Sequence, residues 1–343
     1  MTLRVAILYG GVSEEHEVSV ASARSVLAAI DRSKYDIVPV AITKSGTWLL
    51  PERAPDRLTG ALPAVDEAGT AIVLRPESGA LAVGEGPVDV VFPLLHGPGG
   101  EDGTVQGMLD VLGIPYVGAG VAASAVGMDK SLQKPVFAAA GIPVTPWLAV
   151  RASDNIDELS RRAIASFGLP LFTKPANLGS SVGVSKCKNE AELAAGIETA
   201  FAHGSVALIE KAIDGRELEC AVLGNDEPEA SVVGEIVPAN EFYDYEAKYL
   251  NEGSKTIVPA DIPDGAAQIV RTHAVQAFKA IGCAGMARVD FFLSSSGDVY
   301  LNEINTIPGF TPISMYPKLW EATGVPYAKL IDRLIELALE RRA

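Results

Sequence analysis

The chain has 343 residues, 48% of them hydrophobic and 21% charged, with 33 glycines and a formal net charge of −15. At roughly 150 residues per domain this length implies two or three domains, and the composition fits a folded α/β protein and excludes a disordered one. The acidic balance leaves no basic stripe for nucleic acid or an anionic membrane. An anionic substrate would have to be met by a few local Lys and Arg, by backbone N–H groups or by a bound cation.

In chain order, an apolar run over residues 3–8 closes on Gly10 and Gly11. A helical pattern through Val20, Ala23, Val26, Leu27 and Ile30 leads to a second apolar run at 37–42, which together predict a βαβ unit. A third run, 88–95, ends at His96 and a Gly-rich loop, and a helix is predicted over 105–112. Parallel sheets place ligands beyond the carboxyl ends of their strands, so the loops 10–17 and 96–103 are expected to share one rim. Residues 52–86, rich in Pro, Gly and Ala, read as a peripheral excursion, and no function is assigned to them.

From about Val121 the pattern changes. A helix over 132–140 and strand-like pieces at 169–174, 182–186 and 206–211 predict a second, α+β domain. Longer strands follow at 219–223, 231–237, 286–293 and 299–304, then an amphipathic helix through Leu330, Leu334 and Leu337. Arg341 and Arg342 suit the negative end of its dipole. Cys187, Cys220 and Cys283 lie far apart without metal-ligand spacing and are expected as buried free thiols in a reducing cytoplasm. The N-terminus runs straight into a strand, and no apolar run approaches the ~20 residues needed to cross a bilayer, so no membrane address is expected.

Residues 287–293 and 299–305 read as an antiparallel hairpin. With a four-residue turn at 295–298, Asp290 falls opposite Glu303 and Arg288 opposite Asn305, all four on one face. Two apposed carboxylates repel unless a cation lies between them, and Asp, Glu and Asn oxygens are ligands that Mg²⁺ takes. The same pattern also fits a solvated acidic face. In the irregular run Pro308-Gly309-Phe310-Thr311, Gly309 lets backbone N–H groups approach a ligand.

Lys174 ends a strand, and the Gly-rich turn 179–183 can cover phosphates with its N–H groups, although it is not a Walker A loop. A plain surface hairpin fits it equally. The strand 207–213 reads by itself as a core strand; beside a phosphate loop it also suits a hinge whose backbone reads an adenine edge, with Glu217 accepting ribose hydroxyls.

Read together, the segments 10–19 (GGVSEEHEVS), 96–103 (HGPGGEDG), 174–184 (KPANLGSSVGV), 242–249 (FYDYEAKY) and 302–314 (NEINTIPGFTPIS) resemble the D-alanine:D-alanine ligase family, in that family's order and across essentially the whole chain. The resemblance implies an ATP-grasp fold, α/β and α+β, with an N-terminal parallel-sheet domain at 1–123, a central subdomain at 124–217 and a C-terminal subdomain at 218–343 carrying the metal hairpin. It implies ATP contacts at Lys130, Lys174, Ser180, Ser181, Glu210, Lys211, Ile213, Glu217, Asn302 and Glu303, with Lys248 on the γ-phosphate. Asp290, Glu303 and Asn305 are implied as ligands of two Mg²⁺ ions, for which Mn²⁺ can substitute.

Glu15 is implied as the partner of the first D-alanine's ammonium, supported by Ser180 and Tyr249, with His96 beside it. Arg288, the Gly309 N–H and Ser314 would hold the second D-alanine and the developing oxyanion, next to an apolar wall at Met315. The implied chemistry phosphorylates one D-alanine carboxylate, then lets the amine of the second attack, under a lid at 241–255. A cytoplasmic homodimer serving peptidoglycan precursor synthesis is the implied setting.

Related ligases that use D-lactate or D-serine are the nearest alternatives. The Lys248-Tyr249 pair and the loop 242–245 resemble the dipeptide makers, and Met315 argues against a partner for a serine hydroxyl. A nucleotide binder without turnover keeps the fold but would be expected to lack a metal ligand or Arg288, and none is missing. A dinucleotide-binding oxidoreductase is disfavoured by the missing G-x-G-x-x-G.

Overall fold

A computed structural model describes residues 2–57, 63–65, 67–72, 82–83, 86–179, 182–237 and 255–341. Strand β1 (Leu3–Gly10), helix α1 (His16–Ala29) and strand β2 (Tyr35–Ile42) form the expected βαβ unit, the strands parallel and in register. Strands β3 (Trp48–Pro51) and β4 (Gly69–Ala71) extend the sheet antiparallel, while β5 (Ala82–Val83) and β6 (Gly86–Pro87) pair with each other. Strand β7 (Val90–Pro93) lies parallel to β1 on its other side, which makes the order β4-β3-β2-β1-β7. The expected parallel sheet therefore has an antiparallel edge, β3 and β4, of which the excursion at 52–86 supplies β4. Helix α2 (Thr104–Val111) follows the second rim loop.

From Val5 to Leu8 strand β1 is apolar without a break because both its faces are buried. Val5, Ile7 and Tyr9 pack into one cluster and Ala6 and Leu8 into another, as the period of two requires.

Helices α3 (Val121–Met128) and α4 (Lys130–Ala139) lead into strand β8 (Trp147–Arg151), helix α5 (Ile156–Phe167), strands β9 (Leu171–Pro175) and β10 (Ser185–Cys187), helix α6 (Glu190–Phe201) and strand β11 (Val206–Lys211). The strands form an antiparallel sheet in the order β10-β9-β11-β8. Helix starts follow local chemistry: the side chains of Asp129, Asn155 and Asn189 accept the N–H groups of Ser131, Glu158 and Glu192. The strand expected at 182–186 begins later. Val182 N–H instead closes a turn onto Gly179 O at 3.2 Å, and Gly183 takes φ +71°, a conformation that breaks a strand.

The third sheet holds β12 (Gly215–Gly224), β13 (Glu229–Val237), β14 (Lys255–Ile257), β15 (Gly285–Ser294) and β16 (Val299–Asn305), ordered β14-β13-β12-β15-β16. Helix α7 (Asp264–Ala280) covers one face, where Leu218, Cys220, Val289 and Phe291 meet Val270 and Phe278. The opposite face is divided. At one end Ala221 and Met286 join a core with helices α8 (Met315–Ala322) and α9 (Tyr327–Glu340), and at the other end Glu217, Glu219, Arg288 and Asp290 line a cleft. Leu330 and Leu334 of α9 are fully buried in that core alongside Val5, Ile7 and Phe92 of the first sheet. Each is worth about 2 kcal/mol of burial, so α9 joins the first and third sheets.

Arg341 stands at the C-terminal cap of α9, as expected, and also donates to Gly118 O at 2.6 Å and lies 5.2 Å from the Tyr116 ring centroid. Arg342 lies outside the described residues. The three cysteines are free and buried as expected, with burial pushing Cys220 and Cys283 up to about 12.

Gly285, at φ +72°, opens β15 where a Cβ would meet Gly118 N at 2.9 Å. Gly285→Ala is expected to cost roughly 2–3 kcal/mol in urea unfolding. Gly265→Ala, in open space in α7, should be neutral or add up to about 1 kcal/mol. Equal effects of the two would refute this account.

Candidate active site

A cleft of about 660 Å³ runs between the second and third sheets, floored by β9, β11, β12, β15 and β16. Lys130, Lys174, Glu210, Lys211, Ile213, Glu217, Arg288, Asp290, Asn302 and Glu303 all line it, so the structure brings these expected residues together. Lys130 opens α4; its Nζ lies 3.0 Å from Glu303 Oε2 and donates to Leu178 O at 2.9 Å. Lys174 Nζ, from β9, lies 2.8 Å from Glu210 Oε2 and 3.2 Å from Asn302 Oδ1.

The Glu210 carboxylate is turned inward. It pairs with Lys174 and, at 2.9 Å, with Lys134, whose Nζ also donates to Asn302 O at 3.3 Å. Burial works against the Glu210 charge, but Lys134 and Lys174 outweigh it and hold its pKa down. Burial, partly offset by Glu210, brings Lys134 down to about 8. At Lys130 burial is outweighed by Glu303, which raises the pKa. Glu210 therefore fixes two ammonium groups, with its own side chain spent on them.

The hairpin pairs Asp290 with Glu303 and Arg288 with Asn305, as expected, but by a different route. The turn is one residue longer, since Leu293 pairs with Val299, and a bulge between Phe291 and Asp290 restores the register. The extra residue is Asn302 on β16. A bulge turns successive side chains toward the same side, so Asn302 and Glu303 both line the cleft.

Arg288 grips Asp290 with two bonds, Nε to Oδ1 at 2.8 Å and Nη2 to Oδ2 at 2.7 Å, and its Nε lies 3.1 Å from Glu219 Oε2. Burial opposes its charge, yet Asp290, Glu219 and Glu303 hold the guanidinium well above its usual pKa. Asn305 Oδ1 is a buried acceptor without a donor among the described residues. Two cross-strand carboxylates and a bare amide oxygen are a hard-oxygen donor set that fits Mg²⁺. Among the described residues, no three His, Cys, Asp or Glu converge as a ready-made metal cluster. Substrate oxygens and water would have to complete a shell built on Asp290, Glu303 and Asn305.

The two rim loops of the first sheet reach the same region. Glu15 Oε2 lies so close to the backbone that a Cβ on Gly97 would be 3.0 Å away and one on Gly179 3.5 Å. Glu15 thus lies beside both the second rim loop and the turn that begins at Gly179. His96 is buried, with Nδ1 3.1 Å from Ile307 O and Nε2 3.1 Å from Ser22 Oγ, so both ring nitrogens are taken by protein partners. Those bonds let it hold the 307–310 loop, within electrostatic reach of Glu15 and Arg288.

A Cβ on Gly309 would meet Ser314 Oγ at 3.0 Å, and that hydroxyl accepts Thr311 N–H at 3.1 Å. Met315, expected to wall the amino-acid site, is buried in the core, where a Cβ on Gly234 would lie 3.0 Å from its sulfur. Helix α8 begins at Met315 and carries its side chain inward, away from the cleft. Ser180, Ser181, the loop 242–245, Lys248 and Tyr249 lie outside the described residues, as does the expected lid apart from Lys255. Lys255 pairs with Val237, which lines the cleft.

Family models described as "D-ala D-ala ligase N-terminus" and "D-ala D-ala ligase C-terminus" match residues 4–119 and 136–336. A D-alanine--D-alanine ligase of Geobacillus kaustophilus is 49% identical, covering 99% of this chain and 96% of the relative. The chain belongs to the D-alanine–D-alanine ligase family. Among solved structures, the D-alanine-D-alanine ligase from Coxiella burnetii superposes with a TM-score of 0.89 at 39% identity, covering 99% of this chain and 95% of that one. The VanG D-Ala:D-Ser ligase from Enterococcus faecalis superposes with a TM-score of 0.87 at 37% identity, covering 98% of this chain and all of that one. With these neighbours, the second and third sheets are the ATP-grasp part of the fold and the first belongs to the domain that precedes it.

Sequence reasoning within this ligase-family chain missed Lys134, Glu219, Glu101 and Ser22. Lys134 stands four residues after Lys130, one turn along the same face of α4, and that spacing was a usable signal. Glu219 lies between Leu218 and Cys220 in an apolar strand, where a carboxylate facing a site is also readable. Burial, and after it the Glu15 charge, pushes the Glu101 carboxyl up to about 8. Nothing local marks Ser22.

Lys134→Met keeps the side chain's length but strands Glu210 with a single cation. It is expected to cost about 3 kcal/mol in urea unfolding, and an unchanged midpoint would contradict the buried pairing. The folded protein keeps a proton on Glu101 that the unfolded chain releases above pH 4.5. That contribution to stability declines as pH rises from there and levels off above about 8. Glu101→Gln, permanently neutral, should flatten the decline in thermal midpoint between about pH 5 and 9, and parallel curves for the two proteins would refute it.

Proposed function

We propose that this protein is an ATP- and Mg²⁺-dependent ligase that joins two D-alanine molecules into D-alanyl-D-alanine through a D-alanyl phosphate, releasing ADP and phosphate. The observation that carries the reading is one cleft in which Lys130, Lys174 and Arg288 face the Asp290–Glu303 carboxylate pair, in a chain of this family. The division at 1–123, 124–217 and 218–343 is proposed with it, as are a cytoplasmic homodimer and a role in peptidoglycan precursor synthesis.

In this reading the nucleotide lies along β11 and β12, with the 211–213 backbone at the adenine and Glu217 at the ribose. Lys130 and Lys174 neutralise phosphate charge, and Glu210 and Lys134 hold Lys174 and β16 in place. Ser180, Ser181 and Lys248 close on the phosphates. Asp290, Glu303 and Asn305 would hold Mg²⁺, which when bound neutralises charge on the phosphates.

Glu15, with Ser180 and Tyr249, binds the ammonium of the first D-alanine, whose carboxylate is phosphorylated. The amine of the second D-alanine attacks the acyl phosphate. Arg288 and the Gly309 N–H stabilise the resulting oxyanion, an effect of about 3 kcal/mol for a well-placed donor, while Ser314 orients the second substrate. Arg288 shares Asp290 with the metal position, so its bidentate grip has to loosen toward substrate when a cation is held there.

A D-serine acceptor is a second reading. It is favoured by the 37% identity to a D-Ala:D-Ser ligase, and by the burial of Met315, which removes the apolar wall that argued against a hydroxyl. The pair Lys248-Tyr249 continues to argue against D-lactate.

Phosphate release and product mass should be measured with ATP and Mg²⁺ plus D-alanine, D-alanine with D-serine, D-alanine with D-lactate, and L-alanine. Release with D-alanine alone, matched by dipeptide, is expected. Release that needs D-serine would move the acceptor, and no release with any of them would sink the ligase reading. Glu303→Gln should abolish release while leaving the thermal midpoint within a few degrees, and full activity would remove the metal assignment.

A further inference from the structure

We propose that Ser22 is a positioning residue for amide-bond formation: its hydroxyl, acting with the His96 ring, sets the place of the 307–310 loop that carries the Gly309 N–H. The inference rests on the reading of Gly309 as an oxyanion donor.

The hydrogen bonds have one consistent direction. Ile307 O can only accept, so His96 Nδ1, at 3.1 Å, carries the proton. Burial pushes the His96 pKa down, so the ring is neutral and Nε2 is an acceptor. Ser22 Oγ, 3.1 Å away, must then donate to Nε2, which leaves its lone pairs to accept Phe310 N–H at 3.3 Å. The chain runs Phe310 N–H to Ser22, Ser22 O–H to His96, and His96 N–H to Ile307 O. It closes a ring around Pro308 and Gly309, pinning the carbonyl before them and the amide after them.

Both pins come from the N-terminal part of the chain, Ser22 from α1 and His96 from the loop after β7. Ser22 and Phe310 are 288 residues apart in sequence. The hydroxyl of a helical serine commonly bonds a carbonyl one turn back in its own helix, as Ser25 does to Ala21 O at 3.0 Å. Ser22, fully buried, is turned across the domain contact instead. One turn earlier Ser19 is used in the same way: its Oγ accepts Gly10 N–H at 2.8 Å and donates to Leu94 O at 2.5 Å. Two buried serines on one face of α1 thus tie down strand ends and a loop in place of their own helix.

The rest of the loop is held without Ser22. The Phe310 ring packs with centroid distances of 5.7 Å to Phe92 and 5.5 Å to Tyr327, and Tyr327 Oη donates to Phe310 O at 2.5 Å. Loss of the Ser22 hydroxyl should therefore shift the Gly309 amide by a fraction of an ångström and leave the fold standing. Misplacement on that scale affects the step that uses the amide most.

The test uses the full chain with ATP, Mg²⁺, D-alanine and hydroxylamine, which captures D-alanyl phosphate as the hydroxamate. ADP, dipeptide and hydroxamate are measured for Ser22→Ala, Ser22→Thr and Ser25→Ala, together with thermal midpoints. Ser22→Ala is expected to keep its KM for ATP within about twofold, to lose about 10- to 100-fold in dipeptide kcat, and to give more hydroxamate per ADP. Ser22→Thr, which keeps the hydroxyl, should recover most of the rate, and Ser25→Ala should match the parent.

Parent-like turnover in Ser22→Ala would overturn the proposal. So would ADP and dipeptide falling together with the thermal midpoint, the signature of a purely structural serine. If Ser22→Ala does not fold, Ser22→Cys keeps the volume while weakening both bonds and is read by the same two outcomes. A parent protein that yields neither ADP nor dipeptide defeats the ligase reading itself, a result distinct from any difference between the variants.

Discussion

The Glu210 carboxylate lies in the protein interior between the Lys134 and Lys174 ammonium groups, and the placement of the cleft's charges follows from it. A buried carboxylate needs counter-charge within hydrogen-bonding reach. Meeting that need brings α4 and β9 against β11, and both lysines also reach Asn302 on β16, one through its backbone and one through its side chain. Four elements are thereby locked at the floor of the cleft. Lys130, one turn before Lys134, is carried to Glu303 by the same helix. An acidic chain in this way places lysines in its cleft, each held by an acid that is buried, as Glu210 is, or half-buried, as Glu303 is.

The second constraint is the divided face of the third sheet. Strands β12 and β15 present small and apolar residues to α8 and α9 at one end, and Glu217, Glu219, Arg288 and Asp290 to the cleft at the other. Close packing at the first end makes the charged end rigid, because each strand is continuous across the boundary. The bulge at Asn302 adds what a regular strand cannot, two neighbouring polar side chains on one face. The N-terminal sheet is joined through α9 and through the bonds of His96 to Ile307 O and of Phe310 N–H to Ser22, so the loop bearing Gly309 is set by two parts of the chain.

Much of this was readable beforehand where the signal is local. The βαβ opening, the strand at Val206–Lys211 and the closing helix follow from apolar periodicity, and burial on one or both faces explains why that periodicity is present. The Asp290–Glu303 pairing was also readable, although the turn length behind it was not: a five-residue turn and a bulge together reach the register that a four-residue turn would have reached alone. Met315 was misplaced, and the loop-holding bonds of His96 were not foreseen, for a common reason. A histidine after a strand and a methionine after a serine carry no local mark of which way they face, and both faces were settled by packing against distant segments.

The sequence by itself determined the βαβ opening, most of the longer strands, the closing helix, the family and the chemical kinds of group available to the site, because backbone preference, apolar period and motif order are properties of neighbours along the chain. Only the tertiary structure decided which acids neutralise which cations, that Glu210 and Lys134 are buried partners, and that His96 holds a loop. Those outcomes depend on which groups lose their water together, and desolvation is a property of contacts made across the fold, such as the one between Ser22 and Phe310, 288 residues apart.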